Sequence, residues 1–300
     1  MTSATHLRFG ILGNPLKSKV VPNVCILVRY FLEKGIPFMV EKELFDILPA
    51  EDCERIPPEN VVPREQIPEH CDVLVTFGGD GTLLTATHVL KTHFPPVLGV
   101  NLGKLGFLAD VSPSDVIESV EMIRSGNYTV EQRMVLVGKT ISSGEEFTAL
   151  NDVVVAKSGT ARVIRLTVNL NDNLLASFHA DGIIIATPTG STAYSLAVGG
   201  PIVVPHTEAI TISPIGAHTL TIRPIVVPNA SIIHIQASTP EGYVLVTADG
   251  QIRDSSDEVI EITVQKASHT VKLIKLMGSN YFDTLRTKLM WGKDNRDSPQ

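Results

Sequence analysis

The rhythm of hydrophobic positions changes part-way along the chain. In the first third, apolar runs of strand type alternate with apolar residues at helical spacing. Residues 7–12 form a β-type run ending at Gly13-Asn14-Pro15, and Val24, Leu27, Val28 and Phe31 then recur at the interval that places them on one helix face, up to Gly35. Residues 38–40 and 73–77 read as further strands, 82–90 as a helix and 96–100 as another strand. Residues 49–70 carry Pro49, Pro57, Pro58, Pro63 and Pro68 among charges, the composition of a surface connection outside the core. Strand and helix in alternation predict an α/β domain built on a parallel sheet.

Beyond an amphipathic helix at 115–124 the period shortens. β-type runs follow at 128–137, 147–156, 163–170, 182–187, 231–237, 243–247, 259–264 and 271–276. Such close spacing with few helices predicts a β-rich, sandwich-like second domain. We set the division at residue 110, with an α/β domain over 1–110 and a β-rich domain over 111–277. Between Ala180 and Ile235 the formal charges are Asp181, Glu208 and Arg223 alone, too few for a sheet that faces water. Such a stretch belongs in a site, in a subunit contact or inside one sandwich. Ile202-Val203-Val204 and Ile225-Val226-Val227 lie beside prolines that interrupt strand pairing, which favours a subunit contact for them.

Length and composition narrow the function classes. At about 150 residues per domain, 300 residues make two domains, each able to bury a core. With 43% hydrophobic and 19% charged residues the chain is neither disordered nor low-complexity. It holds no apolar run of membrane-spanning length and no secretory start, and its three cysteines, Cys25, Cys53 and Cys71, form no CxxC pair. The expected compartment is the cytoplasm, with the thiols reduced. A net charge of −7 argues against duplex nucleic acid or an anionic membrane as partner. A phosphate-rich small ligand would have to be held by backbone N–H groups, helix N-termini and a metal.

The strand at 73–77 runs into Gly78-Gly79-Asp80-Gly81-Thr82 and a helix, which puts the glycines at the carboxyl end of a parallel strand, where α/β sheets bind ligands. Glycine lets the backbone approach a phosphate, and the helix start aims N–H dipoles at it. A carboxylate there is costly unless Asp80 holds a metal or takes a proton from an attacking hydroxyl. The plainer account is a tight turn whose Asp80 caps the helix.

Two near misses limit the options. Gly99-Val100-Asn101-Leu102-Gly103-Lys104-Leu105 lacks the spacing and the Ser or Thr of a P-loop, and Gly10 and Gly13 lack G-x-G-x-x-G spacing. HExxH, nucleophile-elbow and Cys/His metal patterns are absent from the sequence.

A second dense region spans 181–201. Its strand ends in Thr187-Pro188-Thr189-Gly190, and a short helix is expected to start with Ser191 or Thr192 as cap and to stop at Gly199. Small polar residues beside a helix start in an apolar neighbourhood suit a purine and a ribose, though ordinary corner chemistry uses the same residues. Asn151-Asp152 offers an amide beside a carboxylate, apt for ribose hydroxyls or an adenine edge and equally common as a turn. Arg162 and His179 are candidate phosphate contacts, or surface residues.

Together, Gly78-Gly79-Asp80-Gly81-Thr82, Asn151-Asp152 and the 180–205 segment resemble the NAD kinase family in their chain order, as do Asn101-Leu102-Gly103 and Leu105-Gly106-Phe107-Leu108. The long Thr-Pro-Thr-Gly-Ser-Thr-Ala-Tyr-Ser segment is the specific signal; Gly-Gly-Asp-Gly is shared with phosphofructokinases and diacylglycerol-type lipid kinases. Asp152 departs from the Glu of many members, and His179 stands at a position that varies.

The resemblance implies an α/β first domain, a β-rich second domain and a C-terminal segment, 278–300, packing back on the first. It implies phosphoryl transfer from ATP or polyphosphate to the 2′-hydroxyl of the adenosine ribose of NAD, giving NADP. Asp80 would act as general base or hydroxyl-orienting group, and Gly78, Gly79, Gly81 and Thr82 would join it in the phosphate cradle. Asn151, Asp152, Thr192, Ala193, Tyr194, Ser195, Leu196 and Ala197 would hold adenosine and ribose. Asp181 would lie near the nicotinamide, with Arg162, His179 and Gln251 as further contacts. A divalent cation, magnesium first, is expected with the nucleotide because an acidic chain offers little other neutralisation; no metal ligand is assigned. The family's habit implies a homo-dimer or homo-tetramer. A lipid or sugar kinase using the same glycine turn, and a nucleotide-sensing module without turnover, are the competing readings.

Overall fold

The computed structural model of the protein describes residues 7–90, 93–103, 106–159, 163–278 and 280–292. Its elements run β1 (Phe9–Gly13), α1 (Val20–Lys34), β2 (Phe38–Glu41), α2 (Lys42–Phe45), α3 (Ala50–Cys53), β3 (Val61–Val62), β4 (Val73–Gly78), α4 (Asp80–Thr87), β5 (Val97–Asn101), α5 (Val116–Arg124) and β6 (Tyr128–Thr140). There follow β7 (Glu146–Ala149), β8 (Asp152–Lys157), β9 (Ile164–Leu170), β10 (Asn173–Ala180), β11 (Gly182–Ala186), α6 (Tyr194–Ala197), β12 (Ala209–Ile215), β13 (Ile225–Pro228), β14 (Ile233–Ser238), β15 (Val244–Ala248), β16 (Gln251–Ser256), β17 (Val259–Leu276) and α7 (Tyr281–Leu289). Two compact units result, residues 1–131 with 272–300, and residues 132–271.

The first unit carries a parallel sheet in the order β3-β2-β1-β4-β5, with Leu273 of β17 beside Val97 of β5. Strand order reverses between β1 and β4, so their carboxyl ends, Gly13 and Gly78, border the crevice where open α/β sheets take ligands. The predicted face of α1 is buried, as Val24, Leu27, Val28 and Phe31 all pack in the core. The Phe31 ring lies 5.2 Å from that of Phe9 and 5.7 Å from that of Phe38, and Gly35 ends the helix in the left-handed conformation, φ +61°.

The segment 49–70 departs from the expectation of a surface connection. It contributes α3, the edge strand β3 and buried Ile56 and Ile67, while buried Asp52 pairs with Arg29 at 2.6 Å. Pro49, Pro57, Pro58 and Pro63 stand where short helical turns begin, positions that need no N–H, and Pro68 lies inside the 3-10 helix Arg64–His70, so the prolines shape the segment without excluding it from the core. Arg64 in this segment donates from Nε to the buried Glu41 carboxylate at 2.5 Å and from Nη2 to the Gly13 carbonyl at 2.8 Å, fixing the end of β1.

In the second unit the sheet β13-β12-β11-β8-β15-β16 faces a second antiparallel layer, β10-β9-β14-β17, whose β17 also pairs β6 and through it β7. One apolar core joins them, with Val153, Val155, Ile183, Ile185 and Ile212 from the first sheet and Leu166, Val168, Ile235 and Ile262 from the second. This sandwich accounts for most of the apolar 180–235 stretch, because β11, β12 and β14 are its inner strands. Val204, Ile225, Val226 and Ile232 remain exposed. The far face of β11 is buried too, with Ile184 and Ala186 packing near Val198, so the strand reads as continuously apolar. Two expected runs are broken or fused: 147–156 divides at Leu150 and Asn151, while 259–264 and 271–276 form the single strand β17. β10, β12, β13 and β16 were not legible, since β16 is a polar edge strand and Pro214 interrupts the apolar run of β12.

None of the three cysteines forms a disulfide; burial pushes the Cys71 thiol up to about 12, with Asp72 adding to it. Among the described residues no helix is long and apolar enough to cross a membrane.

The Arg64 pair yields a stability prediction. Arg64→Met leaves the Glu41 carboxylate buried without its cation and should cost about 3 kcal/mol, whereas exposed Lys42→Met should cost under about 1 kcal/mol. Urea unfolding of the two variants checks the contrast.

Candidate active site

β4 is buried along its length and delivers the chain to Gly78, after which α4 begins with Asp80 as its first residue. The Asp80 carboxylate does not cap that helix, which sets aside the plainer account of the glycine turn. It reaches instead to the loop after β5, where Oδ2 accepts the Phe107 N–H at 2.8 Å and Oδ1 accepts the N–H groups of Leu108 and Ala109, each at 3.1 Å. Lys288 of α7 donates to Oδ2 at 3.2 Å. These four donors fill the capacity of a carboxylate. Burial alone would push the carboxyl up; the N–H groups of Ala109 and Phe107, the Lys288 ammonium and the Leu108 N–H outweigh it and hold Asp80 below the usual carboxylate range. Gly106 permits the approach, since a Cβ there would lie 2.0 Å from Asp80 Oδ1. Asn101 braces the same loop, its amide donating to the Ala109 carbonyl at 3.2 Å and its oxygen accepting the Gly103 N–H at 2.9 Å. Thr82 is buried against Gly78, and its hydroxyl has no hydrogen-bond partner.

In the second unit the organising residue is Asp249. With Gly250 it makes the two-residue turn of the β15–β16 hairpin, at φ +49° and +78°, the left-handed pair a type I′ turn demands. Its carboxylate gathers the N–H groups of Leu150 at 2.8 Å, Asn151 at 2.7 Å and Asp152 at 3.1 Å. From the other side Thr187 donates its hydroxyl to the Leu150 carbonyl at 2.6 Å and its N–H to the Asn151 carbonyl at 2.9 Å. Gly190 packs so closely that a Cβ would meet the Asn151 carbonyl oxygen at 2.1 Å. Asn151, Asp152, the 187–197 segment and the Asp249 turn therefore form one cluster.

The expected helix in that cluster is a 3-10 turn, Gly190–Thr192, followed by α6, and Gly199 closes it at φ +85°. Neither Ser191 nor Thr192 is its cap. Ser191 is buried and its hydroxyl bonds the backbones of Pro188 and Val203, while Thr192 Oγ1 donates back to the Thr189 carbonyl at 3.3 Å. Ser195 is buried with Oγ 3.0 Å from Ser213 Oγ, Ala193 and Leu196 are half-buried, Ala197 is exposed, and the Tyr194 side chain is 46% exposed.

Asp181 and His179 lie elsewhere. Asp181 precedes β11, a strand of five residues or roughly 17 Å, at the end opposite Thr187, and pairs with Lys157 at 2.7 Å. His179 is exposed on β10. Gln251 follows the Asp249 turn and accepts from Arg253 at 3.0 Å. Arg162 lies outside the described residues. Sequence reasoning missed Asp249, whose Asp-Gly signal marks a hairpin and conceals the carboxylate's work, and Lys288, which is 208 residues from its partner. Among the described residues no group of three His, Cys, Asp or Glu side chains is placed to hold a metal.

The N-terminal domain model of ATP-NAD kinases matches residues 9–128 and the C-terminal domain model matches residues 150–276. An NAD kinase from Chlorobium phaeobacteroides is 37% identical over 296 residues, 98% of this chain and 100% of that one. The chain belongs to the NAD kinase family. A second NAD kinase, from Bacteroides fragilis, is 35% identical over 97% of this chain and 100% of its own length. Among solved structures, an NAD kinase from Archaeoglobus fulgidus in complex with ATP superposes with a TM-score of 0.75 at 25% identity, covering 95% of this chain and 99% of that one. Yeast NADH kinase complexed with NADH has the same fold, with a TM-score of 0.88 at 24% identity over 98% and 91% of the two chains. The glycine turn thus falls in the N-terminal NAD kinase match and the Asn151, Thr187 and Asp249 cluster in the C-terminal one.

Two acids of that cluster, buried Asp152 and half-buried Asp249, titrate together. Burial, with the Asp249 charge beside it, pushes the Asp152 carboxyl up to about 7, while burial also raises Asp249 and the three N–H groups that face it pull it back. A carboxyl pKa higher in the folded than in the unfolded chain makes stability fall as pH climbs from the unfolded value, near 4, to the folded one. Asp152→Asn should therefore melt like the native protein at pH 4 and at least about 3 °C above it at pH 8. Melting curves across that range check the sign.

Proposed function

We propose that the chain transfers the terminal phosphoryl group of ATP to the 2′-hydroxyl of the adenosine ribose of NAD, giving NADP. The observation that carries this reading is Asp80, a charged carboxylate held at the glycine turn of the sheet's switch point in a chain of the NAD kinase family. The archaeal relative was solved with ATP and the yeast NADH kinase with NADH; we carry a nucleoside triphosphate and a nicotinamide dinucleotide to this chain on that basis.

The first unit supplies the donor site. The backbone of Gly78, Gly79 and Gly81 and the start of α4 face the phosphates, and the unpartnered Thr82 hydroxyl stands beside them. Polyphosphate would meet the same groups. The second unit supplies the acceptor site, with Asn151 and Asp152 on the ribose hydroxyls and adenine edge, and Thr192, Ala193, Ser195, Leu196 and Ala197 enclosing the adenosine. Tyr194 offers an exposed ring for stacking. Asp181 reaches the nicotinamide end, and Arg162, His179 and Gln251 add contacts. No protein ligand to a metal is assigned; magnesium would come with the triphosphate, held by phosphate oxygens and water, and neutralise its charge.

In the reaction a bond forms between the ribose 2′-oxygen and the terminal phosphorus. The bond from that phosphorus to the bridging oxygen breaks, ADP leaves with the electron pair, and the hydroxyl proton passes to Asp80. A carboxylate held below its usual range is a weak base, so the proton moves as the new P–O bond raises the acidity of the hydroxyl. Asp80→Asn should lower turnover at least ~100-fold. NADP formation from ATP, magnesium and NAD measures it, with sphingosine, diacylglycerol and fructose 6-phosphate as parallel acceptors; near-native turnover would leave Asp80 as a loop anchor alone.

The second unit is also proposed as the assembly surface of a cytoplasmic homo-oligomer, because Val204, Ile225, Val226 and Ile232 stay exposed after the sandwich has formed. Dilution should then lower specific activity and NAD should oppose the loss. Sedimentation and activity over one concentration series test this, and a monomer fully active throughout overturns it.

A further inference from the structure

Two lysines from opposite ends of the chain converge on the glycine turn. A Cβ at Gly79 would lie 3.6 Å from Lys17 Nζ and 3.7 Å from Asn101 Oδ1, ordinary contact distances, and one at Gly81 would meet nothing within 4 Å, so a cation stands beside a turn that is open at Gly81. Lys17 comes there because its loop follows β1, the strand beside β4 at the switch point. On the other side stands Lys288, 3.2 Å from Asp80 Oδ2 and 4.4 Å from the centre of the Phe107 ring. Its helix α7 is anchored by buried Leu285 and by Tyr281, whose ring is 6.3 Å from that of Phe107. About a third of the Lys288 side chain, 32%, stays in solvent.

Three further observations bear on an anion at this turn. Among the described residues the Thr82 hydroxyl, packed against Gly78 on the first turn of α4, is buried and has no hydrogen-bond partner. The chain carries a net charge of −7, so a polyphosphate needs its positive charge supplied locally. The Asp80 carboxylate has four donors, of which three are backbone N–H groups fixed by the 106–109 loop. Lys288 is the one donor of the four that can leave without opening the loop.

We propose that Lys17 and Lys288 together receive the phosphoryl donor's polyphosphate chain over the Gly78–Gly81 turn, Lys288 leaving Asp80 Oδ2 as it does so. The exchange has two effects. It brings charge-assisted hydrogen bonds to the phosphates, and it frees one site on Asp80 Oδ2 for the acceptor hydroxyl. Donor binding thereby arms the base. Lys288 is a positioning residue for Asp80 and a ligand for the donor. The inference rests on the glycine turn's being the donor site.

Tripolyphosphate, titrated calorimetrically into the full-length protein, separates this proposal from the reading beneath it because the measurement needs no turnover. Lys17→Met and Lys288→Met should each weaken tripolyphosphate at least ~10-fold, the scale of one hydrogen bond to a charged group, and raise KM for ATP while NAD affinity holds. Lys288→Arg should recover most of the loss. Asp80→Asn should bind tripolyphosphate more tightly than the native protein, because it releases Lys288 and removes a negative charge, even though its turnover falls. Native-like tripolyphosphate binding in both Met variants overturns the clamp, and leaves the kinase reading standing if Asp80→Asn is still inactive. An equal loss of NAD affinity, with a lowered melting temperature, overturns it in favour of a structural role for the lysines.

Discussion

A loop that turns inward presents backbone N–H groups that water no longer reaches, and each must find an acceptor. This protein meets that constraint twice with the same device. In the first unit Asp80 collects the N–H groups of Phe107, Leu108 and Ala109; in the second, Asp249 collects those of Leu150, Asn151 and Asp152. A carboxylate suits the task because its two oxygens accept several donors at once and its charge strengthens each bond. The glycine turn and the Asn151 loop are therefore shaped by a side chain from a distant part of the sequence, and their ligand-facing geometry follows from it.

The aspartates of the two clusters show how far donors decide acidity. Asp80 is half-buried yet held below the usual range by four donors, whereas Asp152, buried with no such set, is pushed up to about 7. Side chains of identical chemistry thus present an anion at one place and, at another, an acid that changes charge near neutral pH, the kind of separation that lets one site accept protons while another donates hydrogen bonds. Asp249 stands between these cases, since burial raises it while its three donors pull it back.

Much of this was legible in the residues. Helical spacing in α1 named the face that packs, the apolar run of β11 announced a strand buried on both sides, and the glycine turn was placed correctly at the end of β4. Boundaries failed where side chains override local propensity: the run at 147–156 breaks because the Asp249 carboxylate takes its central N–H groups out of the ladder. The proline-rich 49–70 segment misled for a related reason. Four of its five prolines start turns, and contacts such as buried Asp52 with Arg29 then pull those turns into the structure. Contacts of long sequence separation, Lys288 with Asp80 or Asp110 with Lys275, leave no periodic trace at all.

Residues 272–300 belong to the same compact unit as the first 131. On the ribosome, the α/β sheet must therefore wait for Leu273 beside Val97, and Asp80 for Lys288, until the residues that follow the sandwich have emerged. The sandwich, whose residues 132–271 are contiguous, can close first. Domains elsewhere tend to fold from the N-terminus as they are synthesised; here the unit begun before the sandwich is completed after it, and a nascent chain stopped short of residue 288 would carry the glycine turn without the cation that holds its aspartate.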